Sequence, residues 1–485
     1  MAPLRVALVV CLAGACGKGN GGSVPPVAKE DGGRPGDAAV RIELPPRPLG
    51  VADLAGYQWR KRAGQVAFKA ALKAEGKDWA AVVASCREAL AADPTHLEAA
   101  WLLAAALGHL DRTAEIVEPL SIAVAGDFGK WGQASLELPA FQAFRATPTG
   151  LAWQRRVDED RAAYLAALAR ATIVAAEGDL YAFDVREARW HRLTRTGGAV
   201  VAALGAPTRE LAYITREGPK GKHELAIGVV DLGKGHTTRT TSTGTLGPIT
   251  IAYSAKAPAG FVVGMGGAKP VWRLLDGVKL DPLPPKTVRP WGRHLEVQSK
   301  HARLQALPIP TVTADWDDQG LASAMRIGSS NKVVSVPSPG LIDGNTVAWS
   351  PDHSHLAFIA QLQPDATCTP GVARAAAYTA DAATGAVQLQ FSPAVGAKKI
   401  DTGLSVEWMS DRTLVVASGQ GVTMIGLDGP APIPLPGATE LVTPRPRPRC
   451  TPAEDEEPPV VDDPEPLETS AAGGGGSGST MVGPK

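Results

Sequence analysis

The apolar positions of this chain change their spacing once along its length. Between Tyr57 and residue 125 they recur at helical intervals, without strand-like alternation. In Asp78–Gly108, residues Val82, Val83, Cys86, Ala89 and Leu90 fall on one helix face. Asp78 is the predicted N-cap, because its short carboxylate can accept a free N–H of the first turn. Asp93-Pro94 stops this helix, since proline lacks an N–H and restricts the residue before it. A second helix is predicted over Leu97–Leu107, with Gly108 ending it. Tyr57–Ala74 precedes the pair and LDRTAEIVEPLSIAVAG follows it, with Pro119 expected to bend or split that last helix. Trp153–Arg170 reads as a further helix.

From Ala171 the pattern shortens to strands of four to seven residues between Gly, Asp and Pro turns. One unit recurs: apolar strand, Asp or Gly turn, second strand. It reads LYAFDVREARWHRLT from Leu180, IGVVDLGKGHTTRTT from Ile227 and VWRLLDGVKLDPLP from Val271. It returns as AAAYTADAATGAVQLQ from Ala375 and GVTMIGLDGPAPIPLP from Gly421. The turn acids Asp184, Asp231, Asp276, Asp381 and Asp428 are separated by 47, 45, 105 and 47 residues. RIGSSNKVVSV from Arg326, with Ser329 in its turn, fills the long gap. Six units of roughly 45–53 residues indicate propeller blades of four strands each. A second pattern accompanies them. VAWSPDHSHLAF from Val347 matches VEWMSDRTLVVA from Val406 at Val, Trp and Asp, and GAPTRELAYIT from Gly205 is a weaker copy.

Two resemblances rest on these residues. Helix, ALxxDP, helix is similar to the tetratricopeptide repeat, with Ala89, Leu90, Pro94, Leu103 and Ala104 at matching places. Cys86 stands where that family has a large aromatic. About three such units make a stable stack, so two imply packing against the rest of the chain or a partner. Trp79 and Trp101 then either line a peptide groove or, the reading preferred, fill the core. The W-S-P-D repeat resembles the TolB-type propeller repeat, a relative of the WD-repeat. That family implies a six-bladed wheel, in agreement with the six units; seven blades is the alternative. Ala438–Thr443 is placed to complete the first blade, whose unit starts at Thr172.

The ends bear on address. Leu4-Arg5 and the run VALVVCLAGA are too short to span a bilayer, which takes about 20 residues, and read as a secretory signal. The run closes as LAGAC, which resembles the lipobox of bacterial lipoproteins. The resemblance implies cleavage before Cys16, acylation of Cys16 and a lipid-anchored protein of the bacterial cell envelope. With Gly17 rather than Asp next, the expected membrane is the outer one. GKGNGG at Gly17–Gly22 fits a nucleotide-binding glycine pattern, but a Gly/Pro tether follows it and no helix. From residue 444 a basic Pro run, an acidic Pro run and a Gly/Ser run read as a disordered tail.

Composition and chemistry narrow the reading further. The 485 residues carry 49 basic and 49 acidic side chains. That balance argues against nucleic acid as a partner. His353 and His355 sit at i and i+2, yet the sister copy has Arg412 and Thr413 there, so a solvated turn is expected and no metal site. Asp352 and Asp411 are expected to cap turns, and Trp349 and Trp408 to pack between blades. Cys368 and Cys450 share a C-T-P context. An exported protein can oxidise them, and whether they pair is left open. Cys86 is expected to be a buried small hydrophobe. No nucleophile elbow, zinc-protease or phosphate-loop motif occurs, so neither a catalytic residue nor a cofactor is expected.

The chain is therefore expected to be multidomain, α then all-β. Its parts are a signal peptide (1–15), an anchor and tether (16–50), a tetratricopeptide-like helical domain (51–170), a TolB-like propeller (171–443) and a tail (444–485). The expected function is protein–protein scaffolding with an envelope protein or peptide partner, at the membrane through the lipid anchor. The alternative is an enzyme or small-ligand sensor working in the propeller funnel.

Overall fold

A computed structural model describes residues 42, 44, 49–219, 222–255, 259–266, 269–283, 293–305, 311–429 and 431–451. Cys16, the glycine run after it and the tail from 452 lie outside these residues. Helices come first. Two 3-10 turns, Leu54–Tyr57 and Trp59–Lys61, stand where one long helix was expected, and α1 is confined to Gln65–Ala74. Gly64 explains the late start. A Cβ there would sit 2.5 Å from the carbonyl oxygen of Ala89, so the close approach of the next helix needs glycine. That helix, α2 (Trp79–Ala92), is capped as predicted, with Asp78 accepting the Ala81 N–H at 3.0 Å. It stops before Asp93-Pro94, where the Asp93 carboxylate accepts from Arg62 at 2.6 Å. Arg62 holds that carboxyl down at about 2.

Helix α3 (Leu97–His109) has an N-cap no side-chain preference announces. His96 Nδ1 accepts the Ala99 N–H at 3.2 Å. Gly108 does not end α3 but lies inside it, because a Cβ there would meet the Ala140 carbonyl oxygen at 2.3 Å. In α4 (Val117–Gly126), Pro119 neither bends nor splits the helix. It is the third residue, in the first turn, where no intrahelical N–H is lost. Short helices α5 (Phe128–Trp131), α6 (Ala134–Glu137) and α7 (Gln142–Arg145) lead to α8 (Pro148–Arg170). Thr147 Oγ1 caps α8 by accepting the Gly150 N–H at 3.0 Å. Cys86 is buried, and burial pushes its thiol up to about 12. Trp79 stacks on His109 at 4.0 Å and Trp101 on Trp131 at 5.6 Å, both half-buried.

Six antiparallel sheets follow among the described residues. The first opens with β1 (Thr172–Ala176), β2 (Asp179–Asp184) and β3 (Arg189–Arg192). The second holds β4 (Val200–Gly205), β5 (Glu210–Glu217), β6 (Glu224–Asp231), β7 (His236–Thr237) and β8 (Thr241–Ser242). The third holds β9 (Ile249–Ser254), β10 (Gly260–Met265), β11 (Val271–Asp276), β12 (Lys279–Pro282), β13 (His294–Gln298) and β14 (His301–Gln305). Its order is β12-β11-β10-β9-β13-β14, so the β13–β14 hairpin extends the edge at β9. Next, β15 (Val312–Thr313) belongs to the fourth sheet and β16 (Leu321–Ala322) to the fifth. β17 (Ala324–Ile327) and β18 (Lys332–Ser335) complete the fourth. The fifth is filled by β19 (Leu341–Trp349), β20 (His355–Gln361), β21 (Ala375–Asp381) and β22 (Val387–Phe391). β23 (Ser405–Ser410), β24 (Thr413–Ser418), β25 (Gly421–Gly426) and β26 (Ile433–Leu435) form the sixth. The last strand, β27 (Glu440–Leu441), returns to the first sheet and pairs with β1, Leu441 opposite Val174 and Glu440 opposite Ala175.

Each of the six strand–turn–strand units read from the sequence is one hairpin in a different sheet: β2–β3, β6–β7, β11–β12, β17–β18, β21–β22 and β25–β26. A helical region followed by antiparallel sheets of this kind fits a propeller-like β fold. Sheet size is uneven, from three strands to six.

Packing explains the alternation along β20. Leu356, Phe358 and Ala360 join Met325, Ile327 and Val334 of the fourth sheet in one cluster. Ala357 and Ile359 join Leu414 and Val416 of the sixth in another. A strand covered on both faces reads as a continuous apolar run. The largest cluster is shared by helices and sheets: Leu107, Leu120, Trp153 and Leu168 pack with Val174, Leu180 and Trp190. Helices and sheets accordingly form one compact unit. The segment before α1 stitches it. Gly50 N–H donates to Ala125 O at 2.6 Å, Val51 bridges to Trp190, and the Tyr57 hydroxyl reaches the carbonyls of Gly126 and Trp190 at 3.0 and 2.9 Å. His191 is buried beside this seam, and burial pushes its imidazole down to about 4.

Candidate functional site

The two Trp-Asp copies face each other across the fifth and sixth sheets. Asp352 caps its own turn, accepting from Ser350 Oγ at 2.7 Å, Ser354 N at 3.0 Å and Ser354 Oγ at 2.8 Å. These bonds hold its carboxyl down at about 2. Asp411 does something the turn-capping expectation missed. It accepts the Asp352 N–H, at 2.8 Å, and so caps the neighbouring turn. The tryptophans repeat the same step one sheet apart. Trp408 Nε1–H donates to Ala348 O at 2.9 Å, and Trp349 Nε1–H donates to Thr311 Oγ1 at 2.8 Å, just before β15. Each half-buried indole thus reaches back to the preceding sheet. His353 lies exposed in the turn at φ +59°, so strand alternation does not place it beside His355. The His355 ring has Ser354 Oγ 2.7 Å from Nδ1 and Asp381 Oδ2 4.0 Å from Nε2. No group of three or more His, Cys, Asp or Glu side chains that could hold a metal occurs among the described residues.

Cys368 and Cys450 are joined as a disulfide, with Cα atoms 5.1 Å apart. The bond fixes the start of the Pro-rich run, expected to be free from residue 444. Thr451 N–H donates to Ala366 O at 3.0 Å, and Cys368 N–H donates to Thr451 O at 2.8 Å. Arg449 N–H donates to Gln361 Oε1 at 3.1 Å, and its guanidinium lies 3.7 Å from Asp317 and 3.6 Å from Asp365. Arg449, Cys450 and Thr451 are therefore bound to the fifth sheet and its connecting loops, and Arg445 to Thr402 just before β23 at 2.7 Å. Pro residues suit such a strap, because they leave few N–H groups to satisfy.

Two cavities are candidates for binding. The first is an open groove of about 500 Å³ between the sixth and first sheets. Met409, Met424, Ala431 and Ile433 line one side, and Val185, Arg170 and Arg186 the other. Val185 and Ile433 are 36% and 47% exposed. At its wall the fully buried Asp184 accepts from Arg170 Nε at 3.0 Å, Arg170 Nη2 at 2.6 Å and Arg186 N at 3.1 Å. This turn acid therefore ties the end of α8 to the first sheet, a role its spacing in the sequence did not reveal.

The second cavity, about 190 Å³, lies where the first, second and sixth sheets meet the β13–β14 hairpin. Its charged pair is Arg293 and Glu407, 3.7 Å apart. Thr443 N–H donates to Glu407 Oε1 at 3.1 Å, and Arg293 and Glu407 both bond the Thr443 hydroxyl. Ile173, Leu204, Leu211, Leu304 and Val442 supply apolar wall. Thr172 lines it too, 7% exposed, with its hydroxyl unpartnered among the described residues. None of these was singled out from the sequence as a site residue. Glu407 lies in the second Trp-Asp copy, but at a place where the first has Ala348, and nothing in the sequence joins it to Thr172 and Thr443.

No protein-family model matches the chain, and no curated protein matches it. Among solved structures it is similar to one described as a crystal structure of the eukaryotic initiation factor. Identity is 14% and TM-score 0.25, over 56% of this chain and 85% of that one. It is also similar to an oligogalacturonate lyase in complex with manganese, at 11% identity and TM-score 0.21, over 53% of this chain and 70% of the other. At such TM-scores neither likeness carries an argument about fold or chemistry.

Proposed function

We propose that this chain is a lipid-anchored scaffold of the bacterial cell envelope, a tetratricopeptide-like helical layer fused to a six-bladed TolB-like wheel. Six hairpins in six sheets and the return of β27 to β1 support the wheel. LAGAC supports acylation at Cys16, and Gly17 supports the outer membrane. The observation that carries scaffolding is the open groove between the sixth and first sheets. Its wall has two methionines, whose flexible thioethers adapt to varied partners. Exposed apolar surface of this kind marks interaction sites on soluble domains. Arg186, exposed at its rim, favours a partner segment that is apolar with an acidic flank.

The test is affinity capture from detergent-solubilised envelope of the native host. The wild-type chain is expected to return one stoichiometric protein from the membrane fraction. Met424→Glu/Ile433→Glu is expected to lose that protein while keeping the wild-type Tm within a few degrees. Cys16→Ser is expected to leave the membrane fraction. Undiminished capture by the groove variant would overturn the groove as the binding surface, and a Cys16→Ser chain that still sediments with membranes would overturn the anchor.

A further inference from the structure

We propose that the smaller cavity binds a free apolar α-amino acid as a zwitterion. This goes beyond scaffolding, and the cavity shares only Met409 with the groove proposed for partner capture. The argument starts from size. Ligand pockets for drug-sized molecules run from about 300 Å³ upward, and 190 Å³ is room for a molecule of amino-acid size.

Charge narrows the class. The guanidinium of Arg293 and the carboxylate of Glu407 are 3.7 Å apart, beyond hydrogen-bond reach of each other. Both keep solvent access, at 48% and 24% exposure. A guanidinium has five N–H donors, and Thr443 takes one. A simple anion would answer Arg293 and face like charge at Glu407. A simple cation would do the reverse. A molecule with a carboxylate and an ammonium on adjacent atoms answers both.

The walls narrow it again. Leu204, Leu211 and Leu304 face the same space, so a polyol would bury hydroxyls against leucine without partners, which costs free energy. An aliphatic side chain gains by burial there. Thr172 also lines the space, but its hydroxyl is fully buried, so the two charged ends of the ligand are held by Arg293 and Glu407.

The test is isothermal titration calorimetry on the full chain with leucine, leucinamide, which lacks the carboxylate, and 4-methylpentanoate, which lacks the amine. Leucine is expected to bind, and each truncated probe at least tenfold more weakly. Glu407→Gln is expected to lose at least tenfold for leucine and nothing for 4-methylpentanoate. Arg293→Gln is expected to weaken leucine by at least tenfold. Thr172→Val guards against a folding artefact. It removes the buried unpaired hydroxyl without changing shape, so it should keep or raise Tm and leave leucine affinity unchanged, showing that a substitution in the wall does not by itself abolish binding. Absence of heat with leucine at millimolar concentration, equal binding of the three probes, or full affinity in Glu407→Gln or Arg293→Gln would each overturn the proposal.

Discussion

The seam between the fifth and sixth sheets and the seam between the sixth and first are built differently. In the former, Ile359 and Ala377 interlock with Leu414 and Val416, all buried. Two hydrogen bonds then close it, Trp408 to Ala348 and Asp411 to the Asp352 backbone. In the latter, the first sheet faces the sixth with a strand pair, β27 and β1, joined over two residues, and the outer part of the seam opens into the methionine-lined groove. The difference has a covalent origin. In the fifth and sixth sheets, β19–β20 and β23–β24 are continuous strand–turn–strand units that carry the Trp-Asp pattern. In the first sheet the corresponding pair, β27 and β1, comes from two distant parts of the chain, and α8 enters where the turn would be. No Trp-Asp turn can form there, and Arg170–Asp184 takes its place.

The comparison breaks if both seams respond alike to truncation. Ile359 is fully buried in β20, on the face toward the sixth sheet. Ile359→Ala should cost about 2–5 kcal/mol, the transfer loss plus a cavity the neighbouring strands do not fill. Met424→Ala, half-buried at the open groove, should cost about 1 kcal/mol, since less area returns to water. Urea unfolding measures both. Equal losses would mean that the groove wall is packed as tightly as the closed part of the ring.

Acid sharpens the contrast, because the two sides titrate with opposite sign. His191, on the first-sheet side, is held near 4 by burial, against about 6.5 when unfolded. Its contribution is fully present above pH 6.5 and is lost as pH falls from 6.5 toward 4, by about 3 kcal/mol. Asp343, buried in the fifth sheet, is raised to about 6 by burial, against about 3.8 unfolded. Its carboxylate costs stability above pH 6, and that cost fades as pH falls from 6 toward 4. Amide exchange at pH 7 and pH 4.5 should therefore show the first-sheet strands losing protection relative to the fifth. His191→Phe should abolish that relative loss. Its persistence in the variant would assign the acid response elsewhere.

These contrasts mark what was readable in the sequence. The hairpins were legible, since alternation and a turn acid are local features of each. So were the caps that use ordinary cap chemistry, Asp78 and Asp352. The His96 cap was not, because it depends on the ring being buried against Phe68, 4.9 Å away. Gly108 misled for a similar reason. Its sequence position looks like a helix end, but its use is a close approach to Ala140, a residue on another element. The candidate sites were hidden more deeply. Thr172, Arg293, Glu407 and Thr443 come from separate parts of the chain, two in strands and two just outside them, and nothing local marks them as a set. The extra edge at β9, made by β13–β14, is equally a matter of pairing and leaves no trace in spacing.

The smallest expected effect tests whether the tryptophans are links or merely filling. Trp408→Phe keeps an aromatic ring in the seam and removes the N–H that reaches Ala348 O. Trp349→Phe does the same toward Thr311 Oγ1. A net hydrogen bond is worth about 1 kcal/mol, so each variant should lose about that much in urea unfolding. The two bonds have different acceptors, so their losses should add to within about 0.5 kcal/mol. Loss at Ala348 should be the larger, since a backbone carbonyl has fewer ways to find another donor than a hydroxyl that can rotate. If neither variant loses stability, the repeated Trp holds neighbouring sheets by ring area alone, and the closed seam owes its order to Ile359, Leu414 and Val416.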